Sequence, residues 1–302
     1  MRDVPFVTVD VFTDTRFAGN PLAVILDARA LSDGDMQRIA TEFGYSETTF
    51  VLPPRNPVNT AEIRIFTPVT EVPFAGHPNV GTAFALGSLG EIFGRPTGST
   101  MRFEEKAGLV EVALILNGTD VTGATIRAPS PLHVGSTVSP VELAPCASLT
   151  PAEIVTKHHT PVFASVGLKF VLAEVKDLEA LGRAAPKIEP LAILHDVYTH
   201  EQSDCAIFLY TWFGTDHVRA RMFAPLDNVP EDPATGSASA ALGAYLSTLG
   251  GTALSRRLLV EQGVEMGRRS LIEVNVTACD GTLEAVTVAG SCIEVMRGEI
   301  RL

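Results

Sequence analysis

The most constraining feature of this chain is an internal duplication. Arg64-Ile65-Phe66-Thr67-Pro68 returns 157 residues later as Arg221-Met222-Phe223-Ala224-Pro225. Both copies continue through Val-Pro (Val72-Pro73 and Val229-Pro230), a polar glycine-containing turn, and a helix of small residues ending at Leu89-Gly90 and Leu249-Gly250. From Gly76 and Gly236 onward the offset is 160, so the second copy carries three extra residues in its turn. Repetition of a strand, a turn and a helix in one order predicts two copies of one structural unit. A chain of 302 residues, 46% hydrophobic, is long enough to bury a core in each.

The segments upstream of the repeat agree in kind. Ser32 is placed to cap a helix, with Asp35 three residues on, Met36, Ile39, Ala40 and Phe43 at helical spacing, and Gly44 just beyond its end. Thr150, Pro151 and Glu153 make the same kind of opening for a helix in the second half. Between them, residues 7–11, 22–26, 49–52, 109–116, 168–175, 206–210, 257–260, 271–276 and 284–289 read as short strands. The segments 77–89 and 237–249 are almost uncharged, and a helix apolar on every side is buried on every side. The expected fold class is therefore α+β: two pseudo-symmetric domains, each a curled, mostly antiparallel, barrel-like sheet around a central helix. We expect one domain from 1–124 with 287–302 returning to it and a second from 125–286, with the active site in the cleft between them.

Each central helix begins at a polar turn, Gly76-His77 and Gly236-Ser237. Free N–H donors and the positive end of the helix dipole there suit a small anionic molecule. A formal net charge of −12 opposes a nucleic-acid partner. The segment Met1-Arg2-Asp3-Val4-Pro5-Phe6 lacks the basic flank and apolar core of a leader, and no apolar run reaches membrane-spanning length, Gly167 and Lys169 interrupting 162–175. Cys146, Cys205, Cys279 and Cys292 form no CxxC pair, which argues for a reduced, cytoplasmic protein without a zinc ribbon.

The groups near the two turns are the candidates for chemistry. His77 has a pKa suited to proton transfer, or serves as a helix cap; Asp232 has the same two readings, beside Glu231 and Thr235. Ser237 is either structural or a hydroxyl donor to substrate. Glu47 precedes an apolar strand, where poor solvation raises a carboxylate toward neutrality; its alternative is an ordinary exposed glutamate at a strand edge. There is no GxGxxG, no GxxxxGK[ST] and no GxSxG, and His158-His159 reads as a polar helix end rather than a metal site.

These residues also match a known pattern. The chain resembles the phenazine-biosynthesis isomerase family, the PhzF-like proteins, which share the diaminopimelate epimerase fold. The resemblance runs through Val9-Asp10-Val11-Phe12, Phe17-Ala18-Gly19-Asn20-Pro21-Leu22-Ala23-Val24, Ser46-Glu47-Thr48-Thr49-Phe50 and Phe66-Thr67-Pro68. It continues through Pro73-Phe74-Ala75-Gly76-His77-Pro78, Glu231-Asp232-Pro233-Ala234-Thr235-Gly236-Ser237-Ala238, Glu261-Gln262-Gly263 and Met266-Gly267-Arg268. It implies a cofactor-independent isomerase, homodimeric, without metal, that shifts a proton between carbons of a small cyclic or unsaturated carboxylic acid such as trans-2,3-dihydro-3-hydroxyanthranilate. Glu47 would carry the proton and His77, Asp232 and Ser237 would orient the substrate and assist. Gly76 and Gly236 would present N–H groups, with Pro78 and Thr235 also lining the substrate.

Related epimerases and racemases of that fold use two opposed cysteines, at positions matching Ala75 and Pro233 here, so the two-thiol mechanism is excluded. The alternatives to the isomerase are a non-catalytic small-acid binding relative, an epimerase or racemase that does not use two cysteines, and a hydrolase using Ser237. Asn79 stands where the family more usually has Thr and Arg269 where it commonly has Pro; Arg269 is remote from the turns in sequence, but Asn79 lies beside the expected acid/base, which leaves the native substrate open.

Overall fold

The structure, a computed structural model, describes residues 3–302. Met1 and Arg2, which open both the expected first domain and the stretch inspected for a leader, lie outside the described residues. The chain divides into two compact units, one comprising the described part of residues 1–127 with 289–302, the other residues 128–288.

The first unit runs β1 (Asp3–Val11), β2 (Asn20–Ile25), α1 (Asp33–Phe43), β3 (Glu47–Leu52), β4 (Ala61–Phe66), β5 (Glu71–Val72) and α2 (Gly76–Leu89). A small hairpin, β6 (Glu91–Ile92) and β7 (Arg95–Pro96), leads to β8 (Thr100–Glu105), β9 (Gly108–Asn117) and β10 (Asp120–Arg127). α1 starts and stops where the sequence predicts: Ser32 and Asp35 form a reciprocal capping box and Gly44 closes the helix in the left-handed conformation. β1 pairs antiparallel with β2, β2 parallel with β3, β3 antiparallel with β4, β4 parallel with β8, and β8, β9 and β10 follow antiparallel. Residues 292–301 pair antiparallel with β1, and the strand that contains them also pairs with β10, closing the sheet.

α2 lies inside this closed sheet, with Val80, Ala83 and Leu86 buried. Gly81 has a packing reason: a Cβ there would come within 2.7 Å of Leu22 and Val11 side chains on the surrounding strands. Glycine's cost in a helix interior is offset by that close approach.

The second unit runs β11 (His133–Thr137), α3 (Pro140–Leu143), β12 (Ile154–Val155), β13 (Val162–Ser165), β14 (Lys169–Val175), α4 (Leu178–Arg183) and α5 (Ile188–Val197). It continues through β15 (Ile207–Gly214), β16 (His217–Ala224), β17 (Val229–Asp232), α6 (Gly236–Leu246), β18 (Arg256–Gln262), β19 (Ser270–Cys279) and β20 (Thr282–Arg301), whose latter part belongs to the first unit. The pairing series repeats: β13 antiparallel to β14, β14 parallel to β15, β15 antiparallel to β16, β16 parallel to β18, β18 antiparallel to β19. α6 takes the place of α2, packed on β13, β14, β18 and β19.

The repeated sequence carries a repeated contact. Arg64 on β4 makes a two-bond ion pair with Glu71 at 2.8 and 2.7 Å and stacks 5.2 Å from the Phe66 ring. Arg221 on β16 pairs with Glu231 at 2.8 and 2.7 Å and lies 4.9 Å from the Phe223 ring.

Three local expectations need correction. Thr150, Pro151 and Glu153 do form a capping box, but it closes a single 3₁₀ turn, after which β12 begins with β-branched Ile154-Val155. The second central helix ends at Leu246 rather than 249: the Ser247 and Thr248 hydroxyls bond the Gly243 and Tyr245 carbonyls at 2.8 and 2.7 Å, which draws the chain out of the helix. His158 and His159 stand in the loop between β12 and β13 instead of at a helix end, held by Glu174 at 2.7 Å and by the Tyr210 hydroxyl at 2.7 Å.

Candidate active site

In the first unit two local structures meet at Glu47 and His77. Glu47 is the first residue of β3, and Thr49 on the same strand shares a 2.8 Å hydroxyl contact with Thr82 of α2. His77 is the second residue of α2, whose N-cap Ala75 has no side chain able to cap. His77 Nε2 stands 3.6 Å from Glu47 Oε2, with the histidine 6% and the glutamate side chain 19% exposed. His77 therefore does not act as a helix cap.

The ring is held from behind. Ser46 Oγ donates to Asn20 Oδ1 at 3.1 Å, which turns the Asn20 amide nitrogen toward His77 Nδ1 at 3.4 Å. Nδ1 then accepts, and the ring proton sits on Nε2, facing Glu47. Burial pushes the His77 pKa down to about 3, so the ring is neutral across the physiological range. A neutral imidazole can donate its Nε2 proton toward a carboxylate but does not store a second one. Glu47 is the group of this pair able to take up and return a proton.

Gly76 and His77 supply first-turn N–H groups that no capping side chain occupies. Pro78, buried beside them, has no N–H to offer and contributes its apolar ring and a preset helical φ. Asn79 Nδ2 donates back to the Ala75 carbonyl at 3.0 Å.

The second unit carries its own polar turn. Asp232 ends β17, buried, and accepts from Thr235 Oγ1 at 2.5 Å. Gln262, at the end of β18, accepts from the Thr235 N–H at 3.0 Å while its amide nitrogen donates to the Asp232 carbonyl at 2.7 Å and to Thr235 Oγ1 at 3.0 Å. Ser270 Oγ donates to the Pro233 carbonyl at 3.0 Å. Gly263, at φ +73°, lets the backbone pass so close that a Cβ would meet the Pro233 oxygen at 2.6 Å. Thr235 is the N-cap of α6, and its side chain is turned to Asp232 rather than to the helix, so Gly236 and half-buried Ser237 begin a helix with no side-chain cap. Asp232 is thus not a cap. Arg269 pairs with Glu261 at 2.5 Å, which also holds Arg219.

Asn20 and Gln262 lie in motifs that carry the resemblance, yet nothing in their residue type singled them out. Ala75 and Pro233 occupy the two turns, and the cysteines sit elsewhere: Cys146 and Cys205 lie together in the core of the second unit, and Cys292 is buried on β20 opposite Val11. Among the described residues no helix is long and apolar enough to cross a membrane, and no group of histidine, cysteine and carboxylate residues is arranged to hold a metal.

The architecture belongs to the racemase and epimerase class of α+β folds. A hydroxyproline epimerase from Agrobacterium vitis superposes with a TM-score of 0.63 at 14% identity, covering 99% of this chain and 91% of that one. A Bacillus anthracis phenazine biosynthesis protein of the PhzF family superposes more closely, with a TM-score of 0.87 at 28% identity over the whole of both chains. Residues 9–298 match the family described as phenazine biosynthesis-like protein, and the chain belongs to that family. It is 36% identical to the trans-2,3-dihydro-3-hydroxyanthranilate isomerase of Pseudomonas chlororaphis over 98% of this chain and 99% of the relative. The chain is an isomerase.

Proposed function

We propose that this isomerase moves a proton between carbons of a small cyclic or unsaturated carboxylic acid, of the trans-2,3-dihydro-3-hydroxyanthranilate kind, with Glu47 as the shuttle. The observation that carries this reading is the relay Ser46–Asn20–His77, which presents a neutral Nε2–H to Glu47 Oε2 at 3.6 Å. A carboxylate facing a fixed neutral donor can be stabilised when ionised and still accept a carbon-bound proton. A substrate proton already acidified by conjugation with a carboxylate needs only such a base and its conjugate acid, so the reading calls for no cofactor. It takes from the resemblance a homodimer, with His77, Asp232 and Ser237 orienting the substrate and Gly76 and Gly236 presenting N–H groups to it; Pro78 and Thr235 also line it, the uncapped helix turns suit an anionic group, and the cysteine pattern points to the cytoplasm.

The test is incubation of the purified protein with trans-2,3-dihydro-3-hydroxyanthranilate in D₂O, following isomerisation and deuterium uptake together. The parent is expected to do both. Glu47→Gln should lose about 10²–10⁴-fold in kcat, and full activity in that variant would refute the assignment.

A further inference from the structure

The second polar turn hangs from a single rung of one hairpin. Gln262 and Ser270 stand directly opposite each other on β18 and β19. Between them they hold the Asp232 and Pro233 carbonyls, the Thr235 N–H and the Thr235 hydroxyl. Both side chains share the sheet face of Val274, which meets α6 so closely that a Cβ on Gly243 would come within 2.7 Å of it. This rung is also the last of the β18–β19 ladder, and the end of a ladder is where pairing opens first.

The opposite face carries a closure. Glu261 and Arg269 each precede one member of the rung, and Glu261 Oε1 accepts from Arg269 Nε at 2.5 Å, so the pair crosses the rung diagonally. Glu261 Oε2 accepts two N–H groups of Arg219, its neighbour on β16, with Nε at 2.7 Å. The Glu261 side chain is 5% exposed. Burial works to raise its pKa, but the hydrogen bonds of Arg269 and Arg219 hold the carboxyl below its ordinary value, so it is ionised at neutral pH. A buried carboxylate with both oxygens committed is fixed in place. We infer that Glu261 and Arg269 are positioning residues for the second turn: anchored to β16 through Arg219, they keep the last rung shut and hold the Asp232 and Thr235 groups where they stand.

A second ion pair bridges the same two strands and supplies the contrast. Arg257 meets Glu273 at 2.7 Å, near the start of β18, and its side chain is well exposed. No residue of that pair touches the turn's partners. General support of the hairpin would draw on both pairs, whereas the position of the turn draws on one.

The consequence for substrate rests on the reading that Asp232 and Thr235 meet it; the order of the turn does not. The test is amide hydrogen exchange at Thr235 together with steady-state kinetics on trans-2,3-dihydro-3-hydroxyanthranilate in Arg269→Ala, Arg269→Lys and Arg257→Ala. Arg269 is 58% exposed and Glu261 keeps Arg219 without it, so these variants fold. Arg269→Ala should speed Thr235 exchange by about three- to tenfold, the loss of one partly exposed charged contact. Its KM should rise by a similar factor with kcat held within about twofold, as expected for a lost grip on substrate. Arg269→Lys should recover part of both, and Arg257→Ala should change neither. Unchanged Thr235 exchange in Arg269→Ala overturns the inference, and so does equal acceleration in Arg257→Ala. Faster exchange with KM unmoved overturns the link to substrate. If the parent turns over none of the compound, the Glu47 reading has failed on that substrate, and Thr235 exchange alone decides whether the pair positions the turn.

Discussion

Asn20 Nδ2, 3.4 Å from His77 Nδ1, decides which ring nitrogen of the histidine carries the proton. Reversing that decision should disable the pair without emptying the site. Asn20→Asp puts an acceptor opposite Nδ1, draws the proton there and turns a lone pair on Nε2 toward Glu47. We expect a loss of about 10²-fold in kcat with the ¹⁵N spectrum switching tautomer. A variant that kept both its rate and the Nε2–H tautomer would contradict the relay.

The pH dependence of His77 has a definite sign. Its folded pKa lies near 3, below the ordinary 6.5, so the unfolded chain binds the extra proton first as pH falls. The stability this histidine confers is therefore fully present above about pH 6.5 and is lost on the way down toward pH 3. Urea unfolding midpoints should decline through that window, and His77→Gln should flatten the decline. The His77 ring signals should not titrate between pH 5 and 8 in the folded protein.

Glu105 titrates with the opposite sign. Its folded pKa is raised from 4.5 to about 8, so the stabilising contribution is complete below pH 4.5 and disappears as pH rises through 8. Glu105→Gln should remove that part of the alkaline loss in thermal unfolding scans.

At the second turn, Gln262→Leu would leave the Thr235 N–H and the Asp232 carbonyl without their buried partner. About 2–6 kcal/mol should be lost in equilibrium unfolding, at roughly 1–3 kcal/mol for each of the two orphaned groups. A cost below about 0.5 kcal/mol would mean that water replaces the glutamine.

The duplicated arginines should not be equivalent. Arg221 is 7% exposed and also donates to the carbonyls of Leu181, Gly182 and Ala184 at the end of α4, at 3.1, 3.3 and 2.6 Å. Arg221→Leu strands Glu231 and those carbonyls, and should cost about 3–5 kcal/mol. Arg64 has Asp33 as an additional partner, at 2.5 Å, and that carboxylate is well exposed. Arg64→Leu should cost less, and equal losses in the two variants would contradict the assignment.

Much of this was readable before any coordinates. The repeat offset located both central helices, because an uncharged run of small residues has nowhere to go but inside a sheet. Glu47 and His77 stood out because ionisable groups beside apolar elements are conspicuous. Asn20 and Gln262 were legible only as parts of motifs: an amide near a turn is commonplace, and its importance lies in which ring nitrogen or carbonyl it reaches across 57 or 30 residues. Glu105 leaves a fainter signal, the alternation Met101, Phe103, Glu105, because β8 mixes charged and apolar residues and ends without a strong turn signal. The capping signature at Thr150 misled because a cap fixes where a helix can start and says nothing of how far it runs, which Ile154-Val155 decided.

The strand that closes the first barrel has a consequence for how the protein is made. Residues 292–301 pair along β1, yet they are synthesised after the rest of that unit and after all of the other. At about 5–20 residues per second, the early half must wait many seconds on the ribosome with β1 and β10 as open edges. The second unit, whose chain is continuous, can complete its sheet first. The half synthesised first is thus the half completed last, and its exposed edges during that interval are where a chaperone would be needed.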